Sequence, residues 1–429
     1  MTIPRQVYEF LKAASIAHAQ WDIEVSTSIV KNRKKLILLL LLLTPILIVS
    51  LLEASPLLGG KEAYAPAFYS QSIFLVAIAI GLAAGLITGC VGAGGGFIIT
   101  PALMAAGVKG ILAVGTDMFH IFAKAIMGTA VHRKLGNVSI KLALAFLVGS
   151  GAGTVVGGTI NRWLYGIDPL LSEAFISSVY SVILGFLGFY ALFDFLRLRK
   201  GSRGGHAHGS AYSGTPEIAI KLQALKVPPM IAFDEDFVPG GKRISWLVVA
   251  AGGLFVGMLA TLMGAGGGFV TFPMFVYVFG VSSMTTVGTD ILQIIFTAGL
   301  GSIGQYAIYG YVFYSLAMGM LIGSLIGIQV GALTTKVVKG IHIRGFYAVS
   351  ILAGFTNRAA SLPRKLVELE LINIPKSVTS GIESAGNIIF WIVVGVFGAW
   401  VFAKFFSSMG KLREETESDE AKVKPGTVA

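Results

Sequence analysis

The stretch Val91–Phe97, VGAGGGF, returns almost unchanged as Met263–Phe269, MGAGGGF. In each copy a proline follows four residues after the phenylalanine, at Pro101 and Pro273, and Val-Gly-Thr-Asp comes soon after, at Val114–Asp117 and Val287–Asp290. Both copies lie inside long apolar stretches, so each half of the chain puts a glycine-broken helix and an acid at membrane depth. Interrupted apolar segments at matching positions of an internal repeat are the sequence pointer to a binding site at the middle of a bilayer.

Composition agrees with that placement. Hydrophobic residues make up 55% of the 429 residues and charged ones 13%, and the mean hydropathy is +0.78. A soluble core cannot absorb so much apolar surface, and the apolar runs are long enough to span a bilayer, so the fold class is an all-α polytopic membrane protein. The net charge of +11 comes from Lys and Arg clustered between apolar runs, which reads as membrane topology and not as a nucleic-acid surface. A lone cysteine, Cys90, excludes an internal disulfide or a cysteine-based metal cluster.

The first apolar run, Leu36–Leu52, follows Lys31, Arg33, Lys34 and Lys35 and lacks a good cleavage site, so it reads as an uncleaved signal anchor with the N-terminus inside. The organisation that follows is a tail, anchor and external loop over 1–71, repeat one over 72–196, a polar cytoplasmic linker over 197–243, repeat two with an additional helix over 244–405, and a cytoplasmic tail over 406–429. Positive charge changes sides between the repeats. His132, Arg133 and Lys134 correspond to the uncharged Gln305–Tyr311, whereas the nearly neutral 161–169 corresponds to 334–344 with Lys336, Lys339, His342 and Arg344. By the positive-inside rule the two repeats then have opposite topologies. A parallel arrangement stays open, because the short runs after each glycine motif can be half-spans or full spans.

Glycines 92, 94, 95 and 96 in repeat one (Gly92, Gly94, Gly95, Gly96) and Gly264, Gly266, Gly267 and Gly268 in repeat two leave backbone amides uncovered. Short helices starting near Phe97 and Phe269 would aim free N–H groups and a positive dipole end at the break, which suits an anion. The competing reading is close helix packing. A carboxylate at this depth costs about 2.5–3.5 kcal/mol on insertion scales, so Asp117 and Asp290 should face a cavity or a partner. His120 and Lys124 follow Asp117 at three and seven residues, on or near its helical face, while repeat two offers Gln293 and Thr297 there. A cation on one side only suits a single negative substrate, with Thr116 and Thr289 supplying hydroxyls and Asp117, Asp290 and His120 handling protons. The alternative is a structural Asp117–Lys124 pair with Asp290 capping a helix. His206 and His208 read as a solvated linker and not a metal site; Arg358 reads most simply as a snorkelling interfacial arginine, with contact to an anion leaving the pore as its other reading.

These residues resemble the TauE/SafE family of sulfite and organosulfonate exporters. The resemblance rests on Gly85–Pro101, GLITGCVGAGGGFIITP, with Gly107 and the VGTD at Val114, and on Gly257–Pro273, GMLATLMGAGGGFVTFP, with Gly280 and the VGTD at Val287. It implies a transporter moving a small sulfur-containing anion, such as sulfite or an organosulfonate, outward across the bacterial cytoplasmic membrane. The N-terminal anchor, the long linker and the run Ser384–Phe405 depart from a minimal member and leave room for a homodimer or a partner subunit.

The resulting expectation is a proton-coupled secondary carrier with two inverted bundles, surrounded by membrane lipid and needing no cofactor, metal or nucleic acid. No Gly-Lys-Ser/Thr nucleotide motif occurs, and neither His-Glu-x-x-His nor Gly-x-Ser-x-Gly is present to suggest an intramembrane enzyme. A membrane anchor or sensor acting through a soluble partner at the 197–243 linker is the second reading.

Overall fold

The structure is a computed structural model that describes residues 71–91, 96–132, 139–201, 217–234, 241–265, 270–271, 274–338 and 340–407, with Arg33 and Ile37. The anchor run, most of both glycine runs (Gly92, Gly94, Gly95 and Gly266, Gly267, Gly268), His206, His208 and most of the C-terminal tail lie outside the described residues.

Repeat one contains α1 (Gln71–Val91), α2 (Gly96–Ala105), α3 (Gly110–His132), α4 (Ile140–Ile167) and α5 (Pro169–Gly201). Repeat two contains α7 (Trp246–Met263), a π-helical turn (Met274–Val278), α8 (Ser283–Gly299), a second π-helical segment (Leu300–Tyr306), α9 (Tyr314–Val337) and α10 (Gly340–Glu368); α11 (Lys376–Ser407) follows. Six of the described helices are long and apolar enough to cross a membrane. Helix α1 carries no charge and no proline over its 21 residues; a segment apolar on all sides is stable only when surrounded by other helices or lipid.

Boundaries follow local chemistry. Asp168 turns extended after α4, its Oδ1 accepts the Leu170 N–H at 2.7 Å, and Pro169 takes the first position of α5, where its missing donor costs nothing. The turns after the two short segments both need a left-handed residue, and Gly107 (φ 91°) and Gly280 (φ 73°) supply it at equivalent positions.

The helices of the two repeats are exchanged. Helix α1 packs most extensively on α9, and α4 on α7. Gly81, Gly85 and Gly89 lie on Met320, Ser324 and Ile328, and Gly149, Gly153 and Gly157 on Ala250, Leu254 and Met258, so each of these pairs runs in one direction. Equivalent helices meet in the opposite sense. Gly115, Met118 and Phe122 of α3 face Tyr306, Gly301 and Gly299 beyond and at the end of α8, while Gly185 and Gly188 of α5 face Phe355 and Leu352 of α10. Because α10 is the mate of α5, α11 stands outside this exchange and lies chiefly on α10.

Two features go beyond the sequence reading. The apolar run over 285–308, continuous in the sequence, changes to π-helical winding at Leu300. Arg162 takes the Gln305 carbonyl and Oε1 at 2.8 and 2.6 Å, and Tyr306 OH reaches Thr261 O at 2.7 Å. These anchors hold the segment in a wider turn, a form that recurs at functional sites.

The stretch expected as a plain linker also contains α6 (Glu217–Ala224) and a hairpin, β1 (Met230–Phe233) with β2 (Lys242–Ser245), paired Met230↔Ser245 through Phe233↔Lys242. This lobe clasps the turn before α8. Gln223 Nε2 donates to Phe279 O at 2.7 Å, Lys242 Nζ to Gly280 O at 2.9 Å, and Asp234 accepts the Ser282 N–H and O–H at 2.7 and 2.8 Å. Asp234 is buried with φ 55°, a conformation Asp and Asn tolerate better than most residues. Asp234→Ala should therefore lower stability by about 2 kcal/mol, read as an earlier thermal unfolding midpoint in detergent, with Asp234→Asn keeping part of the difference. An unchanged midpoint for Asp234→Ala would show that the clasp carries no load.

Candidate membrane-embedded site

The two glycine breaks meet. A Cβ on Gly96, at the start of α2, would stand 3.4 Å from both Cα and O of Ala265, which follows the end of α7. Gly264 ends α7 in the left-handed conformation (φ 75°), and a Cβ there would stand 2.7 Å from Val114 Cα and O and 3.1 Å from Thr100 Oγ1. Only glycine allows that approach, which brings the end of α7 against the first turns of α3.

The last carbonyls of a helix have no partner within it. At the end of α7 they are taken by side chains: Tyr306 OH donates to Thr261 O, Asn161 Nδ2 to Leu262 O at 3.4 Å, and Tyr180 OH to Met263 O. The acceptor end at the junction is therefore closed by protein donors. The first turn of α2 lies beside it with its amides and positive dipole end.

Around this junction lies a buried polar chain. Thr100 Oγ1 donates to Asp117 Oδ2 at 3.0 Å. Asp117 Oδ1 stands 3.8 Å from His120 Nδ1, too far for a hydrogen bond, and neither atom has a hydrogen-bond partner among the described residues. His120 Nε2 lies 3.3 Å from Ser324 Oγ of α9. Buried polar groups are nearly always satisfied, so two unsatisfied atoms facing each other in the membrane interior call for a mobile proton, water or ligand. Lys124 is buried on the same helix.

Repeat two has a buried polar chain of its own, in which Gln293 and Thr297 stand where repeat one has His120 and Lys124. Gln293 Nε2 donates to Thr297 Oγ1 at 2.8 Å, Thr297 Oγ1 is 3.0 Å from Ser150 Oγ of α4, and Thr271 Oγ1 is 3.5 Å from Gln293 Oε1. Thr116 and Thr289 occupy a different role from the rest. Thr116 Oγ1 accepts the Phe313 N–H at 3.0 Å and Thr289 Oγ1 the Ser139 N–H at 3.2 Å, and these donors immediately precede α9 and α4. In each case the threonine oxygen pins a helix of the other repeat. Asp290 lies inside α8, well past its first turn.

Sequence reasoning missed Thr100, Ser324, Tyr180, Asn161 and Tyr306. Thr100 stood within the repeated motif, directly before Pro101; the others come from helices distant in sequence, and no local pattern marks them. Arg358 is also placed differently. It is 3% exposed, so it does not snorkel to an interface.

A polytopic helical protein with two broken helices meeting beside buried acid, imidazole and amine groups has the makings of a membrane transporter. The sulfite exporter TauE/SafE family matches residues 77–357, and the chain belongs to that family. It is 24% identical over 267 residues to YunE of Bacillus subtilis (strain 168), a probable membrane transporter protein, covering 60% of this chain and 87% of that protein. It is similar to YjnA of the same organism, also a probable membrane transporter, at 24% over 263 residues, with coverage of 59% and 87%. A further probable membrane transporter, ORF9 of a Sinorhizobium species, is 27% identical over 268 residues, covering 62% of this chain and 83% of its own. No solved structure gives a significant match.

Proposed function

We propose that this transporter is a proton-coupled carrier that exports a small sulfur-containing oxyanion, sulfite or an organosulfonate, across the bacterial cytoplasmic membrane. The observation that carries the reading is the meeting of the two glycine breaks, Gly96 against Ala265, beside a carboxylate and an imidazole left unsatisfied. With the α7 carbonyls already bonded and the first-turn amides of α2 beside them, the described backbone of the junction offers donors, which favours an anion over a cation. The family's description supplies the sulfur chemistry.

The two repeats are inverted in this account. Equivalent helices cross in opposite directions, α3 with α8 and α5 with α10, while the exchanged pairs α1–α9 and α4–α7 run the same way. A two-fold axis lying across the helices, in the membrane plane, relates elements in this manner and puts the site at the bilayer centre. Asp117 and His120 pass a proton, and Asp290 takes the matching place in repeat two. The anion sits between the amides of α2 and the end of α7 at Gly264, with Lys124, Gln293, Thr116 and Thr289 around it. Rocking of one exchanged bundle against the other opens the site to each side in turn.

The test is uptake of labelled sulfite into proteoliposomes, with organosulfonates, sulfate and thiosulfate as competitors. Saturable flux above protein-free liposomes, competed by sulfonates, is the expected result. Absence of flux for all of these anions in folded protein removes the substrate class.

A further inference from the structure

Helix α10 carries a buried cation with no salt-bridge partner among the described residues. Arg358 is 3% exposed and follows Gly354 by four residues, which places the two on one helical face. A Cβ on Gly354 would stand 3.8 Å from the carbonyl oxygen of Phe97, so this face of α10 looks onto the first turn of α2, next to the first glycine break. Arg358 Nε donates to Asn357 Oδ1 at 2.7 Å, and Asn357 Nδ2 donates to Asn387 Oδ1 at 2.6 Å. The guanidinium plane is thereby held, while its two Nη groups make no hydrogen bond to any described residue.

The carboxylates within electrostatic reach are committed elsewhere. Glu173 and Glu383 both act on Arg358 through space, yet Glu173 is bonded to Lys365, and Glu383 to Arg364 at 2.8 Å. On the other side, Tyr180 lies within electrostatic reach of both Arg358 and Asp117, and its hydroxyl bonds the carbonyl of Met263 at the second break. Tyr180 thereby links Arg358 to the junction that holds Thr100 and Asp117.

We propose that Arg358 is the principal counter-charge of the transported anion, its free Nη fork receiving two oxygens of a sulfite or sulfonate group presented at the start of α2. This assignment rests on the anion-carrier reading above. A buried cation without an anion is expensive, and retaining one is reasonable where a ligand completes the pair. A guanidinium fork matches two oxygens on one centre, which an ammonium such as that of Lys124 does not. The occupied Nε and the Asn357–Asn387 brace aim the fork before the ligand arrives.

The experiment measures binding of labelled sulfite to the full chain in nanodiscs for wild type, Arg358→Gln and Arg358→Lys, each checked for a monodisperse fold. Arg358→Gln should weaken binding about 100-fold and Arg358→Lys about 10-fold, as expected on losing a charged bidentate contact or keeping only its charge. Folded Arg358→Gln with wild-type affinity overturns the assignment while the carrier reading stands. Wild type that binds neither sulfite nor a sulfonate removes both. Should Arg358→Gln not fold, modification of wild type by butanedione decides the matter: sulfite should protect transport activity, and Arg358→Lys should be insensitive to the reagent. Modification without protection counts against the assignment.

Discussion

Gly149→Leu is expected to leave no folded transporter in the membrane, whereas Gly166→Leu on the same helix is expected to behave as wild type. A Cβ on Gly149 would lie 1.8 Å from Ala250 O and 2.6 Å from its carbonyl carbon, while nothing lies within 4 Å of the Gly166 position. The obstacle is backbone, which cannot swing aside as a side-chain tip does, so α4 and α7 would have to part by well over an ångström. Gly153 and Gly157 meet α7 in the same way, and Gly253 and Gly257 meet α4 from the other side, so one separation unpacks the whole crossing. Without a hydrophobic force between helices in lipid, such close contact is what holds them together. Oversized side chains in tight cores cost about 1–3 kcal/mol when neighbours can relax, and here they cannot. The check is the fraction of monodisperse protein recovered in detergent. Normal recovery of Gly149→Leu would mean that α4 and α7 do not pack as described.

Asp117→Asn should have the largest functional effect among variants that fold. Asparagine keeps the size of the side chain and an acceptor for Thr100 Oγ1, which bonds Asp117 Oδ2, so the junction should stay assembled. It cannot exchange a proton with His120, whose Nδ1 faces Asp117 Oδ1 across 3.8 Å. Proton-coupled flux should fall by at least about tenfold, a loss of roughly 1.4 kcal/mol in transition-state terms, with unfolding temperature nearly unchanged. Asp290→Asn should also reduce coupling. Wild-type coupling in both variants would remove the protonation step from the mechanism.

Much of this arrangement was legible in the sequence because it was written twice. The ends of α1 and α7 at the glycine runs and the Asp117–His120 spacing are local patterns, and local patterns fix where a helix breaks and which side chains share a face. The change of positive charge between loops is the sequence ground for the opposite orientations proposed above. What the sequence hid is the exchange: that α1 would pack on α9, and α4 on α7, is decided by which glycine ridges fit each other across more than a hundred residues. The partners of Asp117 and His120 could not be found for the same reason, since Thr100 and Ser324 come from different helices. Arg358 was misplaced because an arginine near the end of an apolar run looks interfacial until the fold shows what surrounds it. The lobe over 217–245 was hidden by composition, since its short hairpin gains its order from bonds to the turn at 279–282.

The central claim is that movement of a sulfur oxyanion and movement of a proton are one event at the Gly96–Ala265 junction. Proteoliposomes holding the wild-type chain and a luminal pH dye, given an inward sulfite gradient at fixed membrane potential, measure this directly when labelled sulfite and luminal pH are followed together. Relative to protein-free liposomes, the account predicts that both signals rise with the same dependence on sulfite concentration and that Asp117→Asn uncouples them. Protein-dependent sulfite entry with no accompanying change in luminal pH would contradict it.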